Sequence, residues 1–180
     1  MLVQFGNCRL EITQGDITRQ TVDAIVNAAN ESLAGGGGVD GAIHQAAGPI
    51  LMQQTREKYP QGCPTGEVVV TEAGNLQARF VFHAVGPVWR GGHHGEPELL
   101  QAVYRNCLEL MVEKDCRSIA FPAISTGVYG YPLDLAAETA LSVFRDFLIE
   151  TQRPELVRLV LFDAGSYGAH ARVLETMIER

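Results

Sequence analysis

Basic residues are scarce in this sequence, with 14 Lys and Arg against 21 Asp and Glu and a formal net charge of −7. That balance excludes a broad nucleic-acid surface or an attraction to acidic membrane, and leaves any anion binding to local groups. Long apolar runs are missing too, so no stretch reads as a bilayer span. Cys8, Cys63, Cys107 and Cys116 form neither a CxxC pair nor a zinc-ligand spacing, which argues against a disulfide framework and a metal cluster. Cys63 stands in the turn Gln61-Gly62-Cys63-Pro64-Thr65-Gly66, but a reactive thiol needs a depressed pKa that none of those neighbours supplies. His93 and His94 sit in a glycine loop without the cysteines or carboxylates that would complete a metal site.

Cofactor motifs are likewise absent. The glycine-rich stretch carries no Gly-Lys-Ser/Thr, so it has neither a Walker lysine nor a magnesium-binding hydroxyl. Gly36-x-Gly38-x-x-Gly41 fits the bare dinucleotide fingerprint, yet residues 27–34 intervene between the preceding strand and Gly35, where that fingerprint needs a tight turn. No cofactor and no metal are expected.

What remains is an ordinary globular composition, 46% hydrophobic and 19% charged over 180 residues, enough for one domain spanning residues 1–180. The opening Met1-Leu2-Val3-Gln4-Phe5 is too short and uncharged for a secretion signal and reads as an edge strand, so a cytoplasmic location is the expectation.

The stretch from Gly35 to Gly48 organises the chain. Four glycines lead into Val39, Ala42, Ile43, Ala46 and Ala47 at helical spacing. A glycine loop lets a ligand approach the main chain, and the unpaired amides of the following helix make an anion site. Asp40 lies in the first turn, where the dipole favours its charged form. A flexible turn before an alanine-rich core helix is the plainer reading. Ahead of it, Val22 to Val26 reads as a buried strand followed by Asn27 and Asn30, which sets two amides at the strand end where open α/β sheets hold ligands.

Further strands are expected at Leu2–Phe5, Arg9–Thr13, Glu67–Thr71, Arg79–Val85, Ser118–Phe121 and Leu156–Phe162. Helices follow Gly35, Glu96, Pro132 and Ser166, with a shorter helical stretch reaching Lys58. Apolar stripes are expected along Leu100 to Met111, along Leu135, Ala136, Thr139, Val143, Phe144 and Phe147, and along Ala169, Val173, Leu174, Met177 and Ile178. Strands alternating with helices predict an α/β fold with a mainly parallel central sheet. His83, at the end of an apolar strand, reads as a satisfied structural histidine. Asp16 in Gly15-Asp16-Ile17-Thr18 has two readings: a turn carboxylate accepting its own backbone, or an acceptor for the amine of a bound base. The loop after Phe121, running Ser125-Thr126-Gly127-Val128-Tyr129-Gly130-Tyr131, is a second phosphate-binding turn or surface filler.

Taken together, Gly15-Asp16-Ile17-Thr18, Val26-Asn27-Ala28-Ala29-Asn30, Gly35 to Gly48, Cys63-Pro64-Thr65-Gly66, His83 to Pro87 and Ala123 to Pro132 resemble the macrodomain family. They are most similar to its MacroD-like branch, which includes O-acetyl-ADP-ribose deacetylases and ADP-ribosyl hydrolases. The resemblance implies a three-layer α/β/α fold around a mixed sheet of about six strands. It implies ADP-ribose or O-acetyl-ADP-ribose as ligand, with mono-ADP-ribosylated proteins as further partners. By the same resemblance Asp16 and Ile17 contact adenine, with Phe162 beside it. Gly37, Gly38, Val39, Ser125, Thr126, Gly127, Val128 and Tyr129 wrap the diphosphate and adjoining ribose, Asn27 joins the binding set, and Tyr131 lies against the distal ribose. Asn30 and Asp40 act at its reacting end in a metal-independent hydrolysis. A reader that binds ADP-ribose without turnover would use the same cleft, and a regulatory module whose acidic surface contacts another protein is the third reading.

Overall fold

The computed structural model describes residues 1–179, in which strands and helices alternate along the chain. The strands are β1 (Leu2–Phe5), β2 (Cys8–Gln14), β3 (Ala24–Ala28), β4 (Val68–Glu72), β5 (Phe80–Ala84), β6 (Ser118–Phe121) and β7 (Leu156–Leu161). The helices are α1 (Gly38–Ala47), α2 (Ile50–Lys58), α3 (Glu96–Glu113), α4 (Leu133–Thr151) and α5 (Ala164–Ile178), with a 3-10 turn at Ile17–Arg19. The sheet order is β1-β2-β7-β6-β3-β5-β4. The five inner strands run parallel, and β1 and β4 close the edges antiparallel. The sheet is therefore mixed and has seven strands, one more than the family resemblance implies and in line with the apolar runs in the sequence.

Alternating side chains give the sheet two apolar faces. Val26, Phe82, Phe121 and Leu159 pack into one core cluster, while Ile25, Val81, Ala120 and Val160 belong to the other. The first face is covered by α3, α4 and α5, which contribute Leu100, Tyr104, Leu108, Phe144 and Leu174. The second is covered by α1 and α2 through Ile43, Ala47 and Leu51. The stripe from Leu100 to Met111 is buried as its spacing predicts. On α4 the buried face is rotated: it runs through Ala136, Ala140, Phe144 and Phe147, leaving Leu135 exposed. Ile178, at the last turn of α5, is exposed as well.

One aromatic group ties the thicker layer to the loops above it. Tyr104, Phe121 and Phe144 have ring centroids 4.8 to 5.6 Å apart, contacts worth about 0.5–1.5 kcal/mol each beyond buried area. The Tyr104 hydroxyl accepts the Ile124 N–H at 3.0 Å. Buried packing on α3 thus anchors the backbone one residue before Ser125.

Candidate functional site

A cleft of about 700 Å³ opens where the parallel strands end, the position at which sheets of this kind hold ligands. Each wall is a segment that leaves a strand. Gly15, Asp16 and Ile17 follow β2; Ala28 ends β3, with Ala29 and Asn30 after it; Gly86 follows β5; Pro122 to Tyr129 follow β6; Leu161 ends β7, with Phe162 and Asp163 after it. Gly36 to Asp40, at the start of α1, face them. The two glycine-containing segments read in the sequence, 36–40 and 125–129, therefore line one space.

Local chemistry shapes each wall. Asn30 Nδ2 donates to the Gly35 carbonyl at 2.9 Å, and its Oδ1 accepts from Ser32 Oγ at 2.9 Å and the Ala34 N–H at 3.2 Å, which folds the glycine loop. That loop crosses α1 so closely that a Cβ on Gly41 would lie 2.6 Å from the Gly36 carbonyl. No side chain among the described residues caps α1, whose N-cap is Gly37, so its first-turn amides and the positive end of its dipole point at the cleft. The helix on the other wall differs: Asp163 caps α5 by accepting the Ser166 N–H at 2.8 Å.

In the turn after β6, Ser125 holds a left-handed φ of 68°. Strained backbone of this kind clusters at functional sites. Ser125 Oγ is buried without a hydrogen-bond partner among the described residues and lies against Gly86, where a Cβ would collide with it. Tyr131 N–H donates to the Ser125 carbonyl at 3.0 Å and Trp89 N–H to the Tyr129 carbonyl at 2.8 Å. Glu96, buried at the start of α3, accepts the N–H groups of Arg90, Gly92 and His94 at 3.0, 2.7 and 2.6 Å and so braces the loop that carries Trp89. Burial pushes its pKa up, but these backbone donors outweigh it and hold the carboxyl down at about 2.

Two carboxylates lie in the lining. Asp16 Oδ1 accepts from Thr18 N–H at 2.9 Å and Thr18 Oγ1 at 2.6 Å. The Thr18 hydroxyl is the main influence lowering its pKa, against a smaller opposing effect of burial. Asp40 is 7% exposed. Its Oδ1 accepts from Asn27 Nδ2 at 2.7 Å and lies 3.3 Å from His44 Nε2. Its Oδ2 is directed toward Gly36, where an added Cβ would sit 3.4 Å from Oδ2 and 3.9 Å from Asn30 Nδ2. Burial is the largest influence on Asp40 and raises its pKa. The hydrogen bonds from His44 and Asn27, with the nearby charges of His44 and His83, together outweigh it, so the value falls below 3.8. At neutral pH Asp40 is an ionised acceptor with Oδ1 held and Oδ2 without a partner among the described residues.

Thirteen of the fifteen site residues expected from sequence meet here; Asn27 and Tyr131 do not. Asp16, Ile17, Asn30, Gly37, Gly38, Val39, Asp40, Ser125, Thr126, Gly127, Val128, Tyr129 and Phe162 line the cleft, and Ala42, expected in the helix core, joins them. Asn27 is fully buried. Strand alternation turns it toward α1, beneath the cleft floor, where it binds Asp40 in place of a ligand. Tyr131 is buried against Trp89, with ring centroids 4.6 Å apart, and supports the turn from behind. Val128 and Phe162 stand almost fully exposed on the rim. His44 was missed; its signal was available, because four residues after Asp40 is one helical turn. Cys63 is buried and desolvation pushes its thiol up to about 11, which removes it as a nucleophile. No cluster of three or more metal-ligating side chains occurs among the described residues.

A family model described as Macro domain matches residues 26–140. The O-acetyl-ADP-ribose deacetylase of Salmonella typhimurium is 56% identical over 168 residues, covering 92% of this chain and 94% of that protein. The macrodomain of Oceanobacillus iheyensis, solved with ADP, is 47% identical with a TM-score of 0.95, covering 99% of this chain and 96% of that one. The Trypanosoma brucei macrodomain in complex with ADP-ribose is 41% identical with a TM-score of 0.85, covering 92% of this chain and 68% of that one.

Proposed function

Because the chain belongs to the macro domain family, we infer that its cleft binds ADP-ribose and hydrolyses O-acetyl-ADP-ribose to ADP-ribose and acetate. The single observation that carries the inference is the Oδ2 of an ionised, buried Asp40, which faces Gly36 as Asn30 Nδ2 does, next to the uncapped start of α1. The names of the similar proteins, a deacetylase and macrodomains solved with ADP and ADP-ribose, support the same ligand.

The diphosphate belongs at the α1 amides and the Ser125–Tyr129 turn, where backbone donors hold compact negative charge without a basic patch. Asp16 then accepts from the adenine amine at one end, between Ile17 and Phe162, and Asp40 meets the acylated ribose at the other. Bound in that direction, the acyl carbonyl lies near Asp40 Oδ2. Water held by Oδ2 attacks the carbonyl carbon, the bond from that carbon to the ribose oxygen breaks, and the water's proton ends on the released ribose hydroxyl. A carboxylate with a depressed pKa is a weak base but a persistent acceptor, so its contribution is to orient the water and stabilise the positive charge developing on it. Asn30 fixes geometry, having no proton to exchange near neutrality. The ester that joins ADP-ribose to an acidic protein side chain presents the same bond type. The chain acts as one domain. Its four free, buried cysteines fit a reducing, cytoplasmic setting.

Mass spectrometry of the products formed in 18O-water tests this reading. The label is expected in acetate and not in ADP-ribose, with turnover lost in Asp40→Ala. Equal turnover by Asp40→Ala overturns the role of Asp40, label in ADP-ribose overturns the site of attack, and tight ADP-ribose binding without product marks a reader.

A further inference from the structure

Beneath the cleft floor a row of buried polar side chains crosses three strands. Asn27 on β3 and His83 on β5 are register partners, and Thr71 on the edge strand β4 lies diagonally beyond His83, opposite Val81. All three are at most 1% exposed. Asn27 Nδ2 lies 2.7 Å from Asp40 Oδ1 and 3.1 Å from His83 Nδ1. His83 Nε2 lies 2.9 Å from Thr71 Oγ1, and Thr71 Oγ1 donates to the Glu72 carbonyl at 2.9 Å.

Donor and acceptor counting makes this row directional. Asp40 is ionised and can only accept, so Asn27 must present its amide hydrogens there, and its second hydrogen faces His83 Nδ1. Nδ1 therefore accepts and Nε2 carries the proton. That proton needs an acceptor, and the hydroxyl at Nε2 among the described residues is Thr71 Oγ1, whose own hydrogen is committed to Glu72. In the opposite tautomer, Nδ1–H would face Nδ2–H. Relieving that clash by flipping the Asn27 amide would set its Oδ1 against the Asp40 carboxylate.

We propose that Thr71 and His83 are positioning residues for the reaction: they fix one imidazole tautomer, which fixes the Asn27 amide and through it the aim of Asp40. The inference rests on the hydrolytic reading for its effect on rate, but the tautomer and the Asp40 titration can be measured without turnover. The titratable groups facing Asp40 are His44 on its own helix and His83 across the sheet. Burial is the main cause that keeps His83 neutral, lowering it to about 4.

Thr71→Val removes the acceptor while keeping the side-chain shape, and Thr71→Ser restores the hydroxyl. In the full chain, nitrogen-15 NMR should find His83 protonated at Nε2 in the parent and Thr71→Ser, with that tautomer depleted in Thr71→Val. Carbon-13 NMR should find the Asp40 titration moved upward in Thr71→Val, because a donor to the carboxylate is lost. Turnover of O-acetyl-ADP-ribose should fall about tenfold in kcat, with KM and the Kd for ADP-ribose within about twofold, and Thr71→Ser should recover it. His83→Phe, which removes both ring nitrogens, should raise the Asp40 titration as well and serves if Thr71→Val does not fold. An unchanged tautomer and an unchanged Asp40 titration in folded Thr71→Val, or a parent His83 protonated at Nδ1, overturns the proposal. No turnover by the parent, with the tautomer and Asp40 shifts as expected, overturns the hydrolytic reading and leaves the polar row intact.

Discussion

Asp16 and Asp40 are both acidic residues of one cleft, both held below the ordinary carboxylate range, but by opposite routes. Asp16 sits on a half-open turn and takes its donors from Thr18, two residues away. Asp40 is buried on a helix and takes its donors from Asn27 on a strand and His44 one turn on, with His83 behind them. The first carboxylate is built by local sequence; the second exists only once β3, β5 and α1 have assembled. In the proposed function the local one binds and the assembled one reacts, because orienting water demands a carboxylate fixed by packing as well as by its own turn.

The largest expected effect breaks that comparison at its reactive end. Asp40→Asn keeps the side-chain shape but loses the charge, and kcat for O-acetyl-ADP-ribose should fall roughly 10²–10⁴-fold with little change in ADP-ribose affinity, measured by product mass spectrometry and calorimetry. Next comes pH. His83 is held down at about 4, chiefly by burial, from an ordinary 6.5, so the unfolded chain takes up the proton first as pH falls. Its contribution to stability is whole above 6.5 and is lost as pH falls from 6.5 toward 4, on the order of 3 kcal/mol. Buried His170, lowered mainly by desolvation, adds in the same direction. Asp40, with its folded value below 3.8, loses its contribution only under more acidic conditions. Urea unfolding across this range should therefore show the histidine loss first, reduced in His83→Phe.

Tyr104→Phe probes the support of the turn between the two carboxylates. It leaves the Ile124 N–H unpaired in a buried setting and should cost about 1–3 kcal/mol in thermal or urea unfolding. At the binding end, Asp16→Asn should weaken ADP-ribose about tenfold by calorimetry, with kcat nearly unchanged. Cys63→Ser gives the smallest effect: a buried thiol raised to about 11 is not a nucleophile, so turnover should match the parent in the same assay.

The same contrast explains what was legible in the sequence. Strand and helix order, the glycine loop, Asp16 in its turn and the stripe on α3 follow from spacing and turn chemistry within a few residues. On α4 Leu135 fits an apolar stripe by type but is exposed, while Ala137, Ala140 and Leu141, outside the expected stripe, are buried. From sequence Asn27 reads as a ligand contact at a strand end, but the pairing of β3 with β5 makes it a partner of His83 and Asp40. The family resemblance sets Tyr131 against a sugar, but the ring it packs on is Trp89, from a different loop. The partnership of His44 with Asp40 needs only helical spacing, four residues apart on α1, and was legible from sequence.

A crystal structure of the chain with ADP-ribose tests the central claim most directly. The diphosphate is expected within hydrogen-bonding distance of the α1 first-turn amides and the Ser125–Tyr129 backbone, with adenine at Asp16 and the distal ribose beside Asp40 Oδ2. A nucleotide bound in the reverse direction, or with its phosphates away from both backbone segments, would contradict it.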